Sequence, residues 1–287
     1  MALSPFRKRK YTREVLAKYN MLNCNPSVIP MSVSQQLTLD MCPSTPAEQH
    51  AMAEVPYRPS LGSVRYLVTC TRPDVCLAAG VHSRFMHNPG NVHWQSNKRM
   101  VKYLNHTNDF GITYHASLNK DAPRLIGWSD SDWGGDQDTR YSTSGFVFVL
   151  AGGAISWQSR KQATVALSST EAEYVAAAMA AKEGIWLQRL LEELQIFKPL
   201  PITLHLDNQS CIHLAKNPKH HEKTKHVDFK YHFIRELVEE GKINLEYTPT
   251  EYMWADFLTK AVPKVKHDAC CSNLPIQPVF HPTEGGV

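Results

Sequence analysis

Residues 124–174 read RLIGWSDSDWGGDQDTRYSTSGFVFVLAGGAISWQSRKQATVALSSTEAEY, and the change of period inside this stretch decides the fold. Residues 124–133, 144–150 and 154–158 are short runs rich in β-branched and aromatic side chains, which predicts three strands. Gly152-Gly153, between the second and third, predicts a tight hairpin. Past residue 168 the spacing becomes helical: Val175, Met179, Trp186, Leu190 and Leu194 share a stripe, so a long helix is expected over 169–194. Working outward, 202–207 predicts a fourth strand, 209–215 and 227–240 helices, 243–247 a fifth strand and 254–261 a closing helix. The order describes an antiparallel meander that turns into a parallel sheet through right-handed crossovers, an α/β fold with a mixed five-stranded sheet and flanking helices.

Upstream, residues 1–120 read as mainly helical and interrupted. Helices are expected over 11–21, 61–68, 73–86 (Pro73 in its first turn) and 91–104 (Asn91 as cap), with a turn-rich stretch at 23–46. No cluster of acids or nucleophiles appears there. Downstream, four prolines from Pro263 onward and a Gly-Gly pair lead to an expectation of disorder over 264–287. The expected division is therefore 1–120, 121–263 and a tail.

Charge follows this division. Residues 1–120 hold 14 Lys+Arg against 6 Asp+Glu, whereas 121–287 hold 17 against 21. A basic first part suits a polyanion and an acidic second part suits a site that gathers carboxylates. The seven cysteines are scattered, with no C-x-x-C pair, so free thiols in a reducing compartment are expected. No apolar run is long enough to span a bilayer and no secretory signal opens the chain, which excludes a membrane partner and predicts an intracellular protein, cytoplasmic or nuclear.

Asp130 and Asp207 fall near the carboxyl ends of the first and fourth predicted strands, where parallel sheets open their crevices. Two such aspartates repel unless something cationic lies between them. Glu171 and Glu173 open the long helix and differ in role. Ser168-Ser169-Thr170-Glu171 fits a capping box, which gives Glu171 a structural use. Glu173 lies past the cap beside small residues, either as a site acid or as a solvated acid favoured by the helix dipole. Asp256 sits among apolar residues and carries the same two readings. Together Asp130, Glu173, Asp207 and Asp256 form an oxygen-only set suited to Mg²⁺ or Mn²⁺, and a pair of such ions can drive hydrolysis at phosphorus.

At longer range the motifs add up. DSDW (130–133), RYSTSG (140–145), ISW (155–157), ALSSTEAEY (166–174), KHVDFKYHFIRE (225–236) and ADFLTK (255–260) resemble the ribonuclease H domain of copia-type retrotransposon Pol polyproteins. VPYR (55–58), TRPD (71–74) and YLNHT (103–107) resemble the segment that links the reverse-transcriptase active site to that domain. The resemblance covers residues 7–263. It implies a ribonuclease H-like fold preceded by a helical reverse-transcriptase connection segment. It also implies endonucleolytic cleavage of the RNA strand of an RNA–DNA hybrid by two Mg²⁺ ions, with Mn²⁺ as substitute, and association with the rest of a polyprotein. Its metal-binding acids fall on Asp130, Glu173, Asp207 and Asp256, with Asp130 touching both ions. No Asp-Asp dipeptide occurs, so polymerase activity is not expected. The family's loop histidine before the last acid has no counterpart in TPTEY (248–252). A truncated remnant that only binds nucleic acid or its own polyprotein is the alternative.

The run KNPKHHEKTKH (216–226) is expected to be a basic ridge on the duplex backbone, with Lys216, Lys219, Lys223 and Lys225 as phosphate contacts. Ser131, Asn208 and Gln209 are candidates for reading the RNA strand. Trp133 and Trp157 fit either sugar contacts or the core. Adjacent Cys270-Cys271 cannot supply a zinc bite, and Gly152-Gly153 lacks the continuation of a phosphate loop.

Overall fold

The computed structural model describes residues 6–114, 124–195, 200–216 and 225–279, with the side chains of 225–231 outside that description. The chain divides into two compact units: Ala2–Tyr114 with Ala261–Val287, and His115–Lys260 together with Met1.

The first unit is built from α1 (Arg9–Lys18), α2 (Pro46–Ala53), α3 (Tyr57–Cys70), α4 (Cys76–Ser83) and α5 (Asn91–His106), followed by the short strand β1 (Phe110–Ile112). Leu16, Tyr57, Leu61, Val64, Leu67, Met100 and Leu104 form its core. The turn-rich stretch ends where the unforeseen helix α2 begins. Thr45 and Glu48 close a reciprocal cap on α2, whose first residue is Pro46. Asn91 is not the cap of α5. Gly90 holds that place, and its N–H donates to His93 Nδ1 at 2.9 Å. The TRPD motif proves structural: Arg72 pairs with Asp74 at 2.7 Å, and Tyr103 donates to the same carboxylate at 2.7 Å, all buried.

The second unit carries the sheet. Its strands are β2 (Ile126–Asp132), β3 (Thr143–Leu150), β4 (Gly153–Lys161), β5 (Ile202–Leu206) and β6 (Ile243–Tyr247), in the order β4-β3-β2-β5-β6. β2, β3 and β4 are antiparallel neighbours, and β5 is parallel to both β2 and β6. This is the expected mixed five-stranded sheet. The hairpin turn is shifted one residue from its expected place: Ala151 and Gly152 take φ of 51° and 79°, as the tightest turns require, and Gly153 already belongs to β4.

Helices α6 (Ser169–Glu193), α7 (Gln209–Lys216) and α8 (Lys225–Glu239) complete the unit. The buried alanines of α6 (Ala172, Ala176, Ala177, Ala180, Ala181) let it lie close on β2 and β3. At Gly184 an added Cβ would meet the Phe148 ring at 3.0 Å, so small residues set the depth of that approach. Phe146, Phe148, Tyr174, Ile202, Leu204, Leu206, Ile243 and Leu245 fill the core beneath it.

Two expectations near the C-terminus are corrected. In place of a helix over 254–261 stands one single turn, Asp256–Leu258, preceded by another at Thr250–Tyr252. The Thr259 hydroxyl bonds back to the Asp256 carbonyl at 3.0 Å, and Pro263 cannot continue a helix. The described part of the tail, residues 264–279, is ordered. It forms α9 (Lys264–Asn273) and β7 (Ile276–Pro278), the latter antiparallel to β1. Its prolines sit where they are tolerated, before α9, in the following turn and at the strand end, while Cys270, Cys271, Leu274, Ile276 and Val279 are buried.

Candidate active site

β2 delivers Asp130 to the end of the sheet that β5 and Asp207 share, because the two strands run parallel. Asp130 lies opposite Gly145 of β3. A Cβ on Gly145 would come within 2.8 Å of Leu258 Cβ and 2.7 Å of Thr259 Cγ2, so the bare backbone is what lets the 256–259 turn settle on the sheet beside Asp130. Thr259 Oγ1 then donates to Asp130 Oδ2.

Glu173 reaches the same point from α6. Its Oε1 accepts the Ser131 N–H at 3.2 Å, and its buried Oε2 has no hydrogen-bond partner among the described residues. Asp207 is half-buried and accepts from Thr250 Oγ1 at 2.9 Å. One oxygen each from Asp130, Glu173 and Asp207 lies within 4.8 Å of the others. Asp256, though 2% exposed, is not in that trio. It joins the site through Lys260, whose Nζ is 2.7 Å from Asp256 Oδ1 and 3.5 Å from Asp130 Oδ2.

The electrostatics follow from crowding acids away from water. Burial pushes Asp130 up to about 7, with Lys260 pulling against it and Asp256 adding to it. Burial, then the carboxylates of Asp130 and Asp207, push Glu173 up to about 9. For Lys260 burial works against the ammonium, but Asp130 and Asp256 outweigh it and hold the group above its ordinary value. Among the described residues Lys260 is the cation that pairs with this cluster, and the buried Glu173 Oε2 is left without a hydrogen-bond partner. Three carboxylates with one orphaned buried oxygen fit a hard divalent cation.

Glu171 has the structural use expected of it. Its N–H donates to Ser168 Oγ at 3.1 Å, and its carboxylate accepts the Leu167 N–H at 2.8 Å rather than that of the cap itself. Ser131 is buried and serves through its backbone, and Asn208 Oδ1 accepts the Cys211 N–H at 2.9 Å as the cap of α7. Gln209 and Lys216 are exposed. Lys219 and Lys223 lie outside the described residues, as does the side chain of Lys225. Trp133 is 54% exposed, with its indole N–H fixed to the Ala166 carbonyl at 3.0 Å, so it does not belong to the core. Trp157 is half-buried on β4. Sequence reasoning missed Lys260, Thr259 and Thr250. The first had a legible signal, since a lysine four residues after an aspartate shares its face of a helical turn.

Comparison with known proteins places the chain. A retrovirus-related Pol polyprotein from the tobacco transposon TNT 1-94 is 43% identical over 263 residues, 92% of this chain and 19% of that protein. The corresponding polyprotein of transposon RE2 from Arabidopsis thaliana is 38% identical over 262 residues, 90% of this chain and 17% of that one. The chain belongs to the copia-type retrotransposon Pol family. It spans about a fifth of the length of these Pol polyproteins. No family model matches it. A foamy viral protease-reverse transcriptase solved with an RNA/DNA hybrid shares 16% identity at a TM-score of 0.44, covering 76% of this chain and 28% of that one. At that distance the likeness bears on neither site nor substrate. Among the described residues no helix is long and apolar enough to cross a membrane.

Proposed function

We propose that this chain hydrolyses the RNA strand of an RNA–DNA hybrid, leaving a 3′-hydroxyl and a 5′-phosphate, with two divalent ions, Mg²⁺ or Mn²⁺, held by Asp130, Glu173, Asp207 and Asp256. The observation that carries the reading is the convergence of two buried carboxylates and the half-buried Asp207 with the unpartnered Glu173 Oε2, in a chain of the Pol family. Divalent ions bound there supply an activated water and charge neutralisation on the leaving oxygen. The chain's own residues set the stage. Asp130 belongs both to the carboxylate trio and to the Lys260 ion pair, Ser131 N–H fixes Glu173, Thr259 fixes Asp130 and Thr250 fixes Asp207. Phosphates are gripped by Lys216, Lys219, Lys223 and Lys225, each neutralised phosphate adding salt-dependent affinity. Gln209, exposed at the start of α7, and the exposed ring of Trp133 are the groups we assign to meet the sugars that distinguish RNA. The helical unit is read as the reverse-transcriptase connection segment.

The test is cleavage of an end-labelled hybrid by the full chain in Mg²⁺ or Mn²⁺, with all-DNA duplex as control. Cutting of the RNA strand alone, lost in Asp130→Asn, supports the reading. Cutting that survives Asp130→Asn, or no cutting in either metal, refutes it.

A further inference from the structure

Lys260 is the one residue at the site that the proposed chemistry does not need, and it occupies a telling place. Its ammonium lies 2.7 Å from Asp256 and 3.5 Å from Asp130, so it fills the space between two carboxylates that are otherwise almost wholly buried. Asp130, Glu173 and Asp207 also converge, one oxygen of each within 4.8 Å of the others, and among the described residues no ion pair joins Lys260 to Glu173 or Asp207. The two halves of the site therefore differ. The Asp130–Asp256 pair has its positive charge built in, whereas Glu173 Oε2 has no hydrogen-bond partner among the described residues.

We propose that Lys260 is an internal counter-ion standing in for one of the two divalent ions, so that loading is ordered: the Asp130–Glu173–Asp207 side fills first, and the Asp130–Asp256 side fills only when Lys260 withdraws. This rests on the metal-dependent reading above. Lys260 has the means to withdraw, since its side chain is 38% exposed and ends a flexible four-carbon stem. Its position four residues after Asp256 keeps the ammonium within reach for its return. The ammonium and a divalent ion compete for the same two carboxylates, so each weakens the binding of the other, and coupling of this kind ordinarily changes affinity by about 5- to 150-fold. Without any counter-ion the two acids would face each other buried and unscreened, which gives the lysine a use in the metal-free protein as well.

The measurement is calorimetric titration of Mn²⁺ into the metal-stripped full chain, wild type beside Lys260→Gln and Lys260→Arg, with melting temperature in EDTA as a second readout. The wild type is expected to show one tighter and one weaker site. In Lys260→Gln the weaker site is expected to tighten by about tenfold or more while the EDTA melting temperature falls, because the acids have lost their counter-ion. Lys260→Arg keeps the charge and is expected to restore the melting temperature but not the tighter second site. A purely structural lysine would lower the melting temperature without moving the second affinity, and that result overturns the proposal. Unchanged isotherms in a protein that still cuts hybrid overturn it too and leave the nuclease reading standing. No Mn²⁺ uptake by any of the three proteins overturns both.

Discussion

Replacing Glu173 by Gln separates what this carboxylate does to the fold from what it does for a cation. Burial and the neighbouring Asp130 and Asp207 raise Glu173 from an ordinary 4.5 to about 9. At pH 7 the metal-free folded state therefore keeps its proton while the unfolded chain releases it. An acid raised in this way contributes its full stability below about pH 4.5 and loses it as pH climbs toward 9. At about 1.4 kcal/mol per pH unit, the interval from 4.5 to 7 lowers the wild-type fold at pH 7 by an upper bound of about 3 kcal/mol relative to a side chain that never ionises. Glutamine has the same shape and keeps an oxygen for the Ser131 N–H, now 3.2 Å from Oε1. In EDTA at pH 7, Glu173→Gln is expected to be more stable than wild type by as much as about 3 kcal/mol, with the gain shrinking toward pH 5. Urea unfolding followed by tryptophan fluorescence reads this directly, because five of the six tryptophans (all but Trp94) lie in the unit that carries the sheet. Saturating Mn²⁺ is expected to reverse the ranking, since only wild type gains from the ion. A Glu173→Gln protein less stable than wild type in EDTA at both pH values would refute the reasoning, because the carboxylate would then be serving the fold.

Gly145→Ala is expected to lower stability by about 1–3 kcal/mol in urea unfolding, because the new methyl meets Leu258 and Thr259 at 2.7–2.8 Å. It is also expected to weaken Mn²⁺ binding by shifting the Thr259 donor from Asp130; stability within 0.5 kcal/mol of wild type, roughly the spread of neutral substitutions, would contradict the packing. In the other unit, burial and then His93 hold His82 down at about 3, with its Nε2 2.9 Å from Ser96 Oγ. The neutral ring's stability is present above about pH 6.5 and is lost as pH falls, by roughly 3 kcal/mol at pH 4, because the unfolded chain takes up the proton the fold refuses. Acid unfolding followed by circular dichroism checks this, and His82→Gln should flatten the slope.

Much of the sheet was legible in the sequence because its signals are local. Ile202, Leu204 and Leu206 alternate inward as expected, and the helical stripe after Ser168 marks α6 within a residue at either end. The acids of the trio could be picked out because each lacked an alternative use near an element end. The misses were set by tertiary context. The prolines of the tail read as disorder, yet buried apolar residues and pairing with a strand some 160 residues earlier organise it. The segment around Asp256 has helical composition but is held as a single turn against Gly145. Lys260 was in plain view, but its place between two particular carboxylates depends on which strands are neighbours, and that becomes visible only when the sheet is assembled.

The most direct test of the central claim, that the buried acids exist to hold divalent cations, is anomalous scattering from a crystal of this chain soaked in Mn²⁺. The account predicts a peak bounded by the carboxylates of Asp130, Glu173 and Asp207, with Glu173 Oε2 among its contacts. A loaded crystal with no peak at that cluster, or with manganese held only elsewhere on the chain, would contradict it.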